Sequence, residues 1–101
     1  MPKKYPPLSP QEVIAILKAR GFAYKSHEGS HENYEGYFGG KRRIVTVDMG
    51  VDEFWADLMA SMIRQCGMSR DQFYCSNKKT AKKINKRLMD FEPESPPVDP
   101  P

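Results

Sequence analysis

Gly21-Phe22-Ala23-Tyr24-Lys25-Ser26-His27-Glu28-Gly29-Ser30-His31-Glu32-Asn33-Tyr34-Glu35-Gly36-Tyr37-Phe38-Gly39-Gly40-Lys41-Arg42-Arg43-Ile44-Val45-Thr46-Val47 is the stretch on which the fold of this chain turns. From Phe22 the period becomes two: Phe22, Tyr24 and Ser26 alternate with Ala23, Lys25 and His27, which reads as a strand. Gly29-Ser30 breaks it, a second strand spans His31 to about Tyr37, and Phe38-Gly39-Gly40 supplies a hairpin turn. Lys41 to Val47 is a β-branched third strand. Three such strands in succession predict an antiparallel meander.

Outward from the meander the period is helical. Upstream, Ser9-Pro10-Gln11-Glu12 is a capping box with proline at the first helical position, and Leu8 and Val13 stand where a hydrophobic staple closes it. Val13, Ile14, Ile16 and Leu17 give this first helix an apolar face, and Gly21 is placed to end it. Downstream of Asp52, Phe54, Trp55, Leu58, Met59, Met62, Ile63 and Cys66 share one half of a helical wheel and predict the main core helix, packed with the first helix on one face of the sheet. Such a methionine and aromatic stripe reads as packing. Ser69-Arg70-Asp71-Gln72 starts another turn, with Met68 and Phe73 as a second staple. Further on, Lys78, Lys79, Lys82, Lys83, Lys86 and Arg87 occupy one half-wheel opposite Ile84 and Leu88, the pattern of a basic helix that docks and still presents charge.

At 101 residues the chain has room for one domain and a small core. It divides into a flexible N-terminal segment (1–8), a domain (9–75), a basic helical extension (76–89) and a disordered, acidic, proline-rich tail (90–101). The net charge of +3 hides blocks. Residues 1–47 carry eight cations and four acids, 48–75 two and five, 76–89 six and none, and 90–101 none and four. Two basic blocks suit a polyanionic partner, with a solvated face as the plain alternative. No apolar stretch approaches the roughly 18 residues that cross a bilayer, and the first residues lack a signal-peptide segment, so a soluble cytoplasmic protein with no membrane partner is expected. Cys66 and Cys75 fit no metal spacing and read as reduced, buried filler. Glu28, Glu32 and Glu35 do not converge as metal ligands would, and no cofactor is expected.

A helix ending in Gly21-Phe22, the turn Gly29-Ser30-His31 between two strands, Val45-Thr46-Val47 on the third strand, and Met62-Ile63-Arg64-Gln65-Cys66-Gly67-Met68-Ser69 closing the next helix together resemble the HicA (YcfA-like) family of toxin–antitoxin proteins. The resemblance covers about Ser9 to Phe73. It implies an α+β fold like that of double-stranded-RNA-binding domains, α-β-β-β-α. It also implies the activity of an mRNA interferase: an endoribonuclease that blocks translation and is neutralised by a HicB antitoxin. The family's catalytic histidine falls on His31. Where many members continue the third strand into proline, any residue, histidine, this chain has Asp48-Met49-Gly50, without the second histidine.

The chemistry suits the residue types. RNA carries its own nucleophile, the 2′-hydroxyl, so cleavage needs a group that takes a proton and charges that hold the phosphate, and no metal. Histidine exchanges protons near neutral pH. Gly29 and Ser30 let the backbone and a hydroxyl approach a phosphate. Lys25, Lys41, Arg42 and Arg43 are the cations expected to stabilise the more anionic transition state, and Lys78, Lys79, Lys82, Lys83 and Lys86 are expected to bind RNA. Against this stand the ordinary roles: a surface histidine at a strand start, a turn hydroxyl and solvated strand cations. His27 is a weaker proton-transfer candidate. The run Lys78-Lys79-Thr80-Ala81-Lys82 looks like the lysine-rich signature of double-stranded-RNA-binding domains, which supports a second reading as a non-catalytic RNA-binding module.

Overall fold

The computed structural model describes residues 5–89; the tail 90–101 and the first four residues of the N-terminal segment lie outside the described residues. Local rules set the first element. Helix α1 (Pro10–Ala19) begins with the reciprocal bonds of a capping box: the Glu12 N–H donates to Ser9 Oγ at 3.2 Å, and the Ser9 N–H donates to Glu12 Oε1 at 2.9 Å. Leu8 and Val13 are both fully buried, as a staple requires. Gly21, at φ 84°, ends the helix in a left-handed turn that sends the Phe22 N–H back to the Leu17 carbonyl and the Gly21 N–H to Lys18. That is the paired bonding of a Schellman cap.

Three strands follow, β1 (Ala23–Glu28), β2 (His31–Phe38) and β3 (Lys41–Asp48), in an antiparallel sheet of order β1-β2-β3. Both hairpins close through two residues. Gly39 and Gly40 have φ of 65° and 75°, the all-positive pattern of a I′ turn. The β2–β3 register then runs without slippage from Phe38↔Lys41 to His31↔Asp48. Alternation assigns the faces: Tyr34, Val45 and Val47 are buried under the helices, while His31, Asn33, Glu35, Tyr37, Arg42, Ile44, Thr46 and Asp48 stand on the other, uncovered face. Gly36 is required where it is, because a Cβ there would lie 2.5 Å from the Phe22 ring.

β1 departs from expectation. All six of its residues are exposed, Tyr24 at 51%, and a bulge interrupts its pairing at Lys25. The helices meet β3 rather than β1, so alternation along β1 has no core to bury against. The core helix is also shorter than its apolar stripe. α2 spans Ala56–Cys66 and buries Met59, Met62, Ile63 and Cys66. Phe54 instead sits in a strand-like bridge, its N–H bonded to the Leu8 carbonyl at 2.8 Å, while Trp55 and Leu58 are 56% and 51% exposed. Trp55 precedes the first helical turn, so the wheel does not govern its direction, and Leu58 lies on the flank of the stripe.

Helix α3 (Arg70–Tyr74) carries the second capping box, Ser69 with Gln72, over buried Met68 and Phe73. The basic helix α4 spans only Lys78–Lys83. Asn85 takes φ 57°, and the Lys86 N–H bonds the Ala81 carbonyl while the Asn85 N–H bonds Lys82, a second Schellman cap with asparagine in the glycine position. Lys86 and Arg87 therefore lie beyond the helix, and Leu88 is exposed rather than docked. Cys66 and Cys75 are free and buried, and burial pushes the Cys66 thiol up to about 11. No described helix is long and apolar enough to cross a membrane.

Candidate functional site

His31 begins β2 on the uncovered sheet face, its side chain about half exposed. The hairpin register places it directly opposite Asp48, the last residue of β3, and Nε2 lies 3.8 Å from Asp48 Oδ2. The carboxylate is held from its other oxygen. Ser30 Oγ donates to Asp48 Oδ1 at 3.0 Å and the Gly50 N–H donates to the same atom at 2.8 Å, which leaves Oδ2 toward the imidazole. The Gly50 bond first, then the Ser30 bond and the nearby His31, hold the Asp48 carboxyl below the usual carboxylate range, so it is ionised at neutral pH. The Met49 N–H also bonds the Ser30 carbonyl at 2.7 Å, so the Gly29-Ser30 turn and the loop after β3 form one unit. Gly29, at φ 58°, has open space where a Cβ would point.

Asp48 is the functional candidate that residue types alone do not single out, because an aspartate at a strand end is common and its partner His31 lies 17 residues earlier in the chain. A two-residue glycine turn makes pairing symmetric about itself, and counting outward from Gly39-Gly40 leads from His31 to Asp48.

Further along the same face the strands carry two more polar rungs. Asn33 Nδ2 donates to Ser26 Oγ at 3.2 Å, and Thr46 Oγ1 donates to Asn33 Oδ1 at 2.8 Å. Next to these, Lys25 Nζ lies 3.5 Å from Glu35 Oε2, which also accepts from the Arg42 guanidinium. The Arg42 bond first, and the charges of both cations, hold the Glu35 carboxyl below its usual range.

The other cations go elsewhere. Arg43 has the parity of Val45, and its Nε donates to the Phe38 carbonyl at 3.1 Å on the helix-covered face, away from His31. Its guanidinium packs against Gly67, where a Cβ would come within 2.6 Å of Arg43 Cζ. Lys41 is exposed at the β2–β3 turn. His27 faces as Glu32 does and shares a 2.6 Å hydrogen bond with the Tyr24 hydroxyl. α4 hangs on α1 and α3: Lys83 Nζ lies 2.7 Å from Glu12 Oε2, and Thr80 Oγ1 donates to the Tyr74 carbonyl. Lys86 lies 3.6 Å from Asp71. Lys78, Lys79 and Lys82 are exposed. The fold thus unites His31, Ser30 and Gly29 with Asp48, sets Lys25 and Arg42 on the same face, and leaves Arg43 and the α4 lysines on the helical side.

Chemically, the constellation offers one imidazole open to solvent, an ionised carboxylate beside it, and cations farther along the same sheet face. Among the described residues no group of three or more histidine, cysteine or acidic side chains is placed to hold a metal. No model of a known protein family matches the chain, and no curated protein matches it.

Proposed function

We propose that the chain is an RNA-binding, metal-independent endoribonuclease of the mRNA-interferase type, built on a double-stranded-RNA-binding-like core as in HicA, acting on mRNA in the cytoplasm to inhibit translation and neutralised by a HicB-type antitoxin. The observation that carries this reading is a solvent-open His31 facing the ionised Asp48, on a sheet face that also bears Lys25 and Arg42. His31 takes the 2′-hydroxyl proton. The freed oxygen attacks the adjacent phosphorus, and the 5′-oxygen leaves with a proton from water, giving a 2′,3′-cyclic phosphate and a 5′-hydroxyl. Asp48, 3.8 Å from Nε2, compensates the charge that develops on the ring. Lys25 and Arg42, farther along the same face, attract the neighbouring phosphates of the RNA strand and so help to hold it across His31. One proton-transfer group without a second gives slow turnover, which is enough for a toxin.

The exposed Lys78, Lys79 and Lys82 favour a second reading, a non-catalytic RNA-binding module that holds phosphates through α4. Purified protein incubated with labelled single-stranded RNA in excess EDTA separates the two. Cleavage that disappears in His31→Ala while binding persists supports the ribonuclease; binding without cleavage by the parent chain supports the module.

A further inference from the structure

Ribose geometry limits where the base of the reacting nucleotide lies. The 2′-hydroxyl is carried by C2′ and the base by the neighbouring C1′, so the base falls beside whichever group takes the hydroxyl proton. Two surfaces adjoin His31. Across β1 and β2 the sheet is polar, with Glu28 opposite His31 and the Lys25–Glu35–Arg42 row beyond. On the other side a groove of about 200 Å³ runs between β3 and α2, its walls including His31, Thr46, Leu58, Ser61, Met62 and Gln65.

The groove has the mixed character of a base site. Leu58 is exposed on its helical wall although it belongs to the apolar stripe of α2, and Met62 is buried beside it. Gln65 is held in one orientation: its Oε1 accepts the Thr46 N–H at 3.1 Å, along the outer edge of β3. That bond uses the acceptor end of the amide and leaves the NH2 end as a donor, with the Ser61 hydroxyl one helical turn away. A cavity of about 240 Å³ on the opposite flank of α2, among Tyr5, Trp55, Ile63 and Tyr74, does not touch His31.

We propose that the β3–α2 groove holds the base of the nucleotide whose 2′-hydroxyl attacks, with Leu58 against its flat face and the Gln65 NH2 on an acceptor at its edge. The phosphate then lies toward Lys25 and Arg42. This inference rests on the ribonuclease reading and adds to it a site that selects the base on the 5′ side of the cleaved bond.

The test titrates the full chain with each of the four nucleoside 3′-monophosphates, and with ribose 5-phosphate as control, while NMR follows the Leu58 methyls and the Gln65 side-chain amide. Shifts at both groups with nucleotides but not with ribose 5-phosphate are expected. Leu58→Ser, at an exposed position, weakens nucleotide binding by about fivefold. Gln65→Glu keeps an acceptor for Thr46 and exchanges the donor for a second acceptor, so it changes which base precedes the cut in a randomised RNA pool. Shifts confined to the sheet cations and equal for ribose 5-phosphate, or an unaltered base preference in Gln65→Glu, overturn the groove assignment. A parent chain that cuts no RNA defeats the ribonuclease reading, and the nucleotide titration then judges the groove by itself.

Discussion

On the sheet, Lys25, at the bulge of β1, and Arg42, set by the β2–β3 register, converge on Glu35, whereas on α4 the lysines Lys78, Lys79 and Lys82 stand in solvent on a six-residue helix. The two basic regions differ in what a phosphate would meet. Glu35 competes for the sheet cations, which lowers their affinity for an anion but keeps them aligned on the face that carries His31. Among the described residues, carboxylate pairing in this region falls at Lys83, the last residue of α4, and at Lys86 beyond it, so the exposed lysines of α4 attract polyanions without aligning them. Fixed charge gives placement, and solvated charge gives attraction. Under the proposed function, cleavage depends on the first and affinity on the second.

The largest effect separates the two regions outright. His31→Ala is expected to lower the cleavage rate by about 10² to 10⁴, the usual worth of a positioned proton-transfer group, with RNA affinity measured by filter binding unchanged. Second, replacing Lys78, Lys79 and Lys82 together by Gln removes three phosphate contacts. That lowers the steepness of log K against log salt by about 2 on single strands and weakens binding about a hundredfold at 0.1 M salt; an unaltered slope removes α4 from the interface. Third, Asp48→Asn keeps an acceptor for Ser30 and Gly50 but loses the charge facing His31, and should slow cleavage about fivefold with KM unchanged.

The same variant has a defined pH signature. Asp48 is held below the usual carboxylate range in the folded chain, so its contribution to stability is fully present above an unfolded-state pKa of about 3.9 and is lost as pH falls through the lower folded value. Urea unfolding should separate the parent from Asp48→Asn at pH 7 and bring them together in strong acid. The smallest effect lies on the covered face. Arg43→Ala should leave RNA affinity unchanged and lower stability by about 1 kcal/mol, through the lost bond to the Phe38 carbonyl and the space left at Gly67.

Much of this was legible along the chain because it depends on near neighbours. The Ser9/Glu12 and Ser69/Gln72 boxes, and the Gly29-Ser30 and Gly39-Gly40 turns, follow from sterics and hydrogen bonds within four residues. The registers that these turns fix pair His31 with Asp48 and put Arg43 on the opposite face, neither of which the sequence reading draws, since it sets Arg43 among the cations beside His31. Asn85 was harder to read: asparagine only tolerates the left-handed conformation that glycine adopts freely, and the lysine spacing runs on past it.

Strand order, hairpin geometry and the capped starts of α1 and α3 were settled by residue types and their spacing, since each is decided by backbone freedom over a single turn, whereas α2 has no side-chain cap and begins later than its stripe. How far the helices reach across the sheet depended instead on contacts between segments far apart in the chain. Those contacts leave β1 bare, turn Leu58 to the flank of α2, and open the groove that meets His31. An apolar residue is buried only where another element arrives to cover it, and periodicity carries no record of that arrival.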